Sequence, residues 1–176
     1  MNFIKENPET FIASLALLVS LATGIITYFT FHIQRKHNRR SLMPIINVNP
    51  FDFSNCLRID LKNEGVGPAI IKKIIVEKNE HEKKSSVYDW MPFLPTGLSY
   101  SNYLTRDENI PMSPDKTIEV ICIKLDPNKE EERQFREQMR GVLRQLTIKV
   151  EYTDVYNSKF PIYSRSLILY ARTDNG

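Results

Sequence analysis

The chain has 176 residues and a net charge of +3, which leaves room for one ordinary domain plus a short appendage. The charge is local: five of the 24 Lys and Arg and two of the 21 Asp and Glu precede Leu42, leaving 19 of each sign beyond it. A formally neutral domain excludes the broad basic field of a nucleic-acid binder. Two cysteines, Cys56 and Cys122, exclude a disulfide framework.

Residues 1–10 form a polar N-terminal tail. The 23 residues from Phe11 to Ile33 then contain no Asp, Glu, Lys or Arg. As a helix they span roughly 34 Å, enough to cross a hydrocarbon core of about 30 Å. A cleaved signal peptide fits less well, because the apolar run is long, Lys5 is offset by Glu6 and Glu9, and no small-x-small site precedes the polar segment. Residues 34–42 are expected to be a basic juxtamembrane linker with Arg35, Lys36, Arg39 and Arg40. By the positive-inside rule this cluster places everything after it in the cytoplasm of a single-pass protein of the inner, cytoplasmic membrane, with anionic lipid as its neighbour.

Within the apolar run, Ala13, Ala16, Ser20, Thr23, Thr27 and Thr30 are spaced 3, 4, 3, 4, 3. The larger Leu15, Leu17, Leu18, Val19, Ile25, Ile26 and Phe29 fall off that line. A seam of small side chains lets two membrane helices approach closely, and its period suits left-handed packing. With one span per chain, the partner helix is expected from a second copy, which makes a homo-oligomer.

Residues 43–176 are expected to form a cytoplasmic β domain. Leu57, Ile59 and Leu61 alternate with Arg58, Asp60 and Lys62 between Cys56 and Asn63, the period of a half-buried strand. Further strands are expected at Met43 to Val48, Ala69 to Lys78, Ser85 to Tyr88, Thr117 to Leu125, Leu146 to Tyr156 and Phe160 to Tyr170. Asp154, Asn157 and Ser158 suit a hairpin connection between the last two. One helix interrupts the series. Asp126-Pro127-Asn128 offers a cap, Glu130, Glu131 and Glu132 suit a helix start, and Phe135, Met139, Val142, Leu143 and Leu146 give an apolar face. Many short strands and one amphipathic helix point to an antiparallel sandwich with the helix over one opening or edge.

Asn63-Glu64-Gly65-Val66-Gly67-Pro68-Ala69, following an alternating strand, resembles the Asn-x-Gly-…-Pro-Ala turn of bacterial immunoglobulin-like domains of the CARDB type. Ile110-Pro111-Met112-Ser113-Pro114-Asp115-Lys116-Thr117 resembles the lead-in to a later strand of those domains, without its glycine. The resemblance covers roughly Leu57 to Leu125. It implies an immunoglobulin-like β-sandwich used for interaction, and it transfers no catalytic residue.

Catalytic chemistry finds little purchase. His32 and His37 flank the membrane and only His81 lies in the domain, which disfavours a histidine triad or a multi-His metal site. The cysteines lack Cys-x-x-Cys spacing and read as buried, reduced apolar residues, although a disulfide between them stays open. Gly65-x-Gly67 reads as a turn, since no helix follows to make a phosphate loop. No catalytic, cofactor-binding or metal-ligating residue is assigned.

Two surfaces are candidates for binding. Tyr88, Trp90, Phe93, Tyr100 and Tyr103 are interleaved with Pro92, Pro95 and Gly97, a composition suited to a protein partner; Trp90 and Phe93 are expected to plug the end of the sandwich instead. Arg133, Arg136, Arg140 and Arg144 are spaced 3, 4, 4 along the helix. They read first as a solvated face with Glu132–Arg136 and Arg133–Glu137 pairs, and second as an anion-binding stripe for phosphate groups. The leading expectation is thus a membrane-anchored, non-enzymatic interaction module that self-associates through its helix. The alternatives are a nucleotide-sensing membrane effector of a bacterial, antiviral defence system, with the arginines as sensor, and an enzyme with a carboxylate-based site.

Overall fold

The computed structural model describes residues 8–78, 82–105 and 108–171. Lys5, Glu6, His81 and the side chains of Arg39 and Arg40 lie outside the described part. The chain divides into two units after Ser41.

The first unit is a helix, α1, at Pro8–Ser41. Pro8 suits the first turn, where its missing N–H is no loss, and Glu9 complements the positive helix start. Within α1, Glu9–Asn38 is long and apolar enough to cross a membrane. The expected linker is helical: residues 34–41 continue α1 without a break. Gln, Arg and Lys favour helix, and the Ser41 hydroxyl donates to the His37 carbonyl at 2.8 Å, closing the last turn. Pro44 bars helix at Met43.

The second unit is a β-sandwich. Its strands are β1 (Ile46–Phe53), β2 (Cys56–Asn63), β3 (Ala69–Lys78), β4 (Glu82–Lys84), β5 (Asn102–Tyr103), β6 (Ile110–Met112), β7 (Thr117–Lys124), β8 (Leu146–Asp154) and β9 (Tyr163–Ser166). One sheet has the order β1-β2-β7-β5, the other β4-β3-β8-β9, with β6 pairing β3 as well; all pairs are antiparallel. Lettering β1, β2, β3, β4, β5, β7, β8 and β9 as A, B, C, C′, D, E, F and G gives sheets ABED and C′CFG, the arrangement of an immunoglobulin sandwich. Helix α2 (Glu130–Leu143) connects the E and F positions.

The core follows from the alternation. Val48, Leu57, Ile59, Leu61, Ile121 and Ile123 of one sheet and Ile71, Ile74, Val76, Ile148 and Val150 of the other are buried together. Phe135, Met139 and Leu143 of α2 join them, so the helix closes one part of the sandwich with the face its periodicity marks. The β1 edge is tied across: the Tyr163 hydroxyl donates to Asn47 Oδ1 at 2.7 Å and accepts from the Val48 amide at 3.2 Å. Pro50 is tolerated on this edge strand because it owes no ladder donor on that side.

Several expected boundaries shift. The first strand runs from Ile46 to Phe53, because a two-residue turn at Ser54-Asn55 lets all eight residues pair with β2. Ser85 to Tyr88 is not a strand; β4 precedes it, and Tyr88–Trp90 is a 3-10 turn started by the Ser86 hydroxyl accepting from the Tyr88 amide. The last strand shrinks to Tyr163–Ser166, since Pro161 prevents earlier pairing and Ile168–Ala171 coils into a 3-10 turn. The cap of α2 is Lys129. Asp126 instead accepts from the Asn128 amide at 3.0 Å, while its own amide donates to Glu132.

Candidate functional site

The small residues Ala13, Ala16, Ser20, Thr23, Thr27 and Thr30 lie exposed along α1. Three of the hydroxyls are turned inward. Thr23, Thr27 and Thr30 donate to the carbonyls of Val19, Thr23 and Ile26, each at 2.8 Å. That back-bonding satisfies the donors without a partner helix and leaves a low, apolar-sided ridge between the exposed Leu17, Val19, Ile26 and Phe31. Arg35 and Lys36 are exposed within one turn of the end of the apolar run, and Arg35 lies over the Phe31 ring.

The arginine stripe divides in two. Arg136 and Arg140 are buried, at 9% and 6% exposure, because α2 turns them toward the end of β1. There Asp52 accepts from Arg136 Nη2 at 2.6 Å and approaches Arg140 Nε at 3.2 Å. Glu137 adds contacts to Arg140 at 3.0 Å and Arg136 at 3.4 Å. Arg133 and Arg144 are exposed, and Arg133 pairs with Glu130. The stripe therefore works as a clamp on the β1–β2 hairpin at its middle, and as ordinary surface at its ends. Asp52 gave no signal in the sequence, since it lies 84 residues from Arg136.

The aromatic segment divides likewise. Tyr88, Tyr100 and Tyr103 form one cluster, with Tyr88 stacked on Tyr103 at 4.8 Å and edge-on to Tyr100 at 5.3 Å. Burial, and Tyr88 beside it, push the Tyr100 phenol up to about 12. Trp90 packs against the core, with Lys84 Nζ at 4.4 Å over its ring. Phe93 does not plug the sandwich: it is fully exposed at the tip of a proline-bounded loop. Pro92 and Pro95 hold that loop extended, and Phe93 borders a shallow groove of ≈ 290 Å³ with Tyr88, Met91, Leu94 and Tyr100. Trp90 Nε1 and Tyr100 Oη are buried with no hydrogen-bond partner among the described residues.

A feature read from sequence only as a turn proves to be a hub. Asn63 is fully buried. Its Oδ1 accepts from the amides of Ile45 and Gly65 at 3.2 and 3.1 Å, and its Nδ2 donates to the Gly67 carbonyl at 2.8 Å and the Met112 and Ser113 carbonyls at 3.3 Å. The two segments that carried the family resemblance thus meet at one side chain, together with the first residues of the domain. Gly65 and Gly67 are required there. A Cβ on Gly67 would strike the Leu42 carbonyl, and one on Gly65 the backbone of Met43, Pro44 and Ile45.

Two carboxylates are shielded from solvent on the sheets. Glu77 pairs with Lys149 at 2.7 Å and Lys83 at 3.2 Å. The hydrogen bond from Lys149 holds it below the usual carboxylate range, with Lys83 adding to the effect. Asp60 goes the other way: burial raises it, Glu119 across the strand raises it further, and Arg58 at 3.2 Å offsets part. Cys122 is buried and Cys56 partly exposed, both as free thiols. Among the described residues no group of three or more His, Cys, Asp or Glu is placed to hold a metal ion.

Comparison of the chain with protein-family models, with curated proteins and with solved structures finds no match.

Proposed function

We propose that the chain is a membrane-anchored, non-enzymatic interaction module. In this reading α1 crosses the cytoplasmic membrane, the sandwich lies on the cytoplasmic side, and copies associate through α1. The observation that carries it is the helix Pro8–Ser41, whose leucines, isoleucines and phenylalanines are exposed among the described residues. Such a helix is stable in a bilayer and costly in water, where each buried apolar side chain is worth about 1.5–3 kcal/mol. The Ala/Ser/Thr ridge supports self-association, because back-bonded hydroxyls let two helices approach without stranding a donor. The cluster Arg35, Lys36, Arg39 and Arg40 supports the orientation.

The sandwich order supports kinship with CARDB-like bacterial interaction domains, and the loop bearing Phe93 is the surface for a protein partner. With Arg136 and Arg140 engaged by Asp52, no observation favours the nucleotide-sensing reading. The test is energy transfer between donor- and acceptor-labelled full-length chains in lipid vesicles. Transfer above random co-occupancy, reduced by Ser20→Ile with Thr27→Ile, supports the proposal. Transfer at the random level, or a chain that stays out of the membrane fraction, overturns it.

A further inference from the structure

The two thiols of the chain meet. Cys56 opens β2 and Cys122 lies in β7, the strand hydrogen-bonded beside it. Their sulfurs are 4.0 Å apart, in hydrogen-bond contact, although 66 residues separate them in sequence. The register pairs Cys122 with Arg58 and Cys56 with Lys124, so the thiols are diagonal neighbours on the outer face of the sheet. Cys56 is partly exposed and Cys122 buried. Burial, with Cys56 beside it, pushes the Cys122 thiol up. The Arg58 guanidinium across from Cys122 is held between the Phe51 ring, 4.6 Å away, and Asp60.

We propose that Cys56 and Cys122 are a peroxide-oxidisable dithiol that closes a reversible cross-strand disulfide. Cys56, the accessible member, reacts first. Its thiolate sulfur attacks hydrogen peroxide, an S–O bond forms as the O–O bond breaks, and the departing hydroxide leaves as water with the proton the thiol gave up. Cys122 then attacks the Cys56 sulfenic acid. An S–S bond forms, the S–O bond breaks, and the hydroxyl departs with the Cys122 proton as a second water. Two thiols lose two electrons in all, and one peroxide becomes two waters. The fixed Arg58 guanidinium lies across from Cys122 and favours the negative charge that its sulfur carries in the second step.

The bond is poised to be labile. A disulfide needs its sulfurs about 2 Å closer than the 4.0 Å seen here. Diagonal neighbours on a sheet stand about 7–8 Å apart, wider than most disulfides allow. Closure therefore draws Cys56 toward β7. The Ser54-Asn55 turn next to it permits this at the cost of strain, and strained disulfides are the readily reduced ones. Oxidation would fasten the β1–β2 hairpin to β7 one residue from Asp52, the carboxylate that holds α2.

The test uses the full chain in lipid vesicles, treated with hydrogen peroxide, alkylated and mapped by mass spectrometry. The expected result is loss of both alkylatable thiols, a chain lighter by two hydrogens, a Cys56–Cys122 cross-linked peptide, and recovery of both thiols with dithiothreitol. In Cys122→Ser the reaction should stop at a Cys56 sulfenic acid that dimedone traps, and in Cys56→Ser the Cys122 thiol should survive. Thiols that persist while glutathione in the same vessel is consumed would overturn the proposal. So would disulfides formed only between chains, or a Cys122→Ser chain that gives no more dimedone adduct than the parent.

Discussion

Asp52→Ala should destabilise the sandwich well beyond the effect of any exposed ion pair. The carboxylate serves two arginines at once, Arg136 at 2.6 Å and Arg140 at 3.2 Å, and their side chains are 11% and 7% exposed against 12% for Asp52. Removing one partner of a buried pair costs about 3–5 kcal/mol, because the remaining charge is left desolvated. Glu137 stays in contact with both guanidiniums but is largely exposed, so it offsets only part of the loss. The expected cost is about 3 kcal/mol, which at a urea dependence of about 2 kcal/mol/M moves the midpoint down by about 1.5 M. Asp52→Asn keeps one acceptor oxygen and should lose roughly half as much. Trp90, the one tryptophan of the chain, reports unfolding by fluorescence. Arg133→Ala and Arg144→Ala, at exposed positions, should shift stability by less than about 0.5 kcal/mol. A loss below about 0.5 kcal/mol for Asp52→Ala would refute the clamp and return Arg136 and Arg140 to the solvent-facing stripe.

Other positions give distinct outcomes. Asn63→Ala strips acceptors from two amides and a donor from Gly67, and should cost about 2–4 kcal/mol in urea melts. Gly67→Ala should be comparably damaging, since the added Cβ meets backbone rather than a side chain that can swing away; Gly97→Ala, with open space around it, is opposed only by its left-handed backbone and should cost about 1 kcal/mol. Glu77 is held below its unfolded value, so its contribution is present above the unfolded carboxylate range and is lost as pH falls through the lower folded value. Melting curves between neutral and acid pH should therefore fall less steeply for Glu77→Gln than for the parent. Asp60 carries the opposite sign. Its ionisation weakens the fold as pH rises through the raised value, so Asp60→Asn should match or exceed parent stability at neutral pH and lose that advantage in acid.

The sequence made visible what depends on neighbours within one element. β2 and β3 were readable to the residue, because Leu57, Ile59 and Leu61 alternate and Ile70, Ile71, Ile74, Ile75 and Val76 are β-branched between turns. The apolar face of α2 was readable from its 3.6-residue period at Phe135, Met139 and Leu143, whereas Leu146, expected on the same face, opens β8. What the sequence hid depends on distant partners. The four arginines have helical spacing, but only the fold brings Asp52 of the β1–β2 hairpin under the middle two. Asn63 reads as a turn residue, yet its role comes from three segments meeting around it. Phe93 reads as a plug by its hydrophobicity, while two flanking prolines hold its loop out in solvent. Phe160 to Tyr170 has strand composition, and Pro161 with the 3-10 turn at Ile168–Ala171 leaves four residues to pair.

A cysteine scan of α1 in membranes tests the central claim most directly. In a Cys56→Ser, Cys122→Ser background, single cysteines placed from Ala13 to Thr30 are oxidised and run without reductant. Self-association through the small-residue ridge predicts dimers at Ala13, Ala16, Ser20, Thr23, Thr27 and Thr30, with minima at Leu18, Ile25 and Phe29 on the opposite face. Monomer at every position, or equal crosslinking all around the helix, would contradict it.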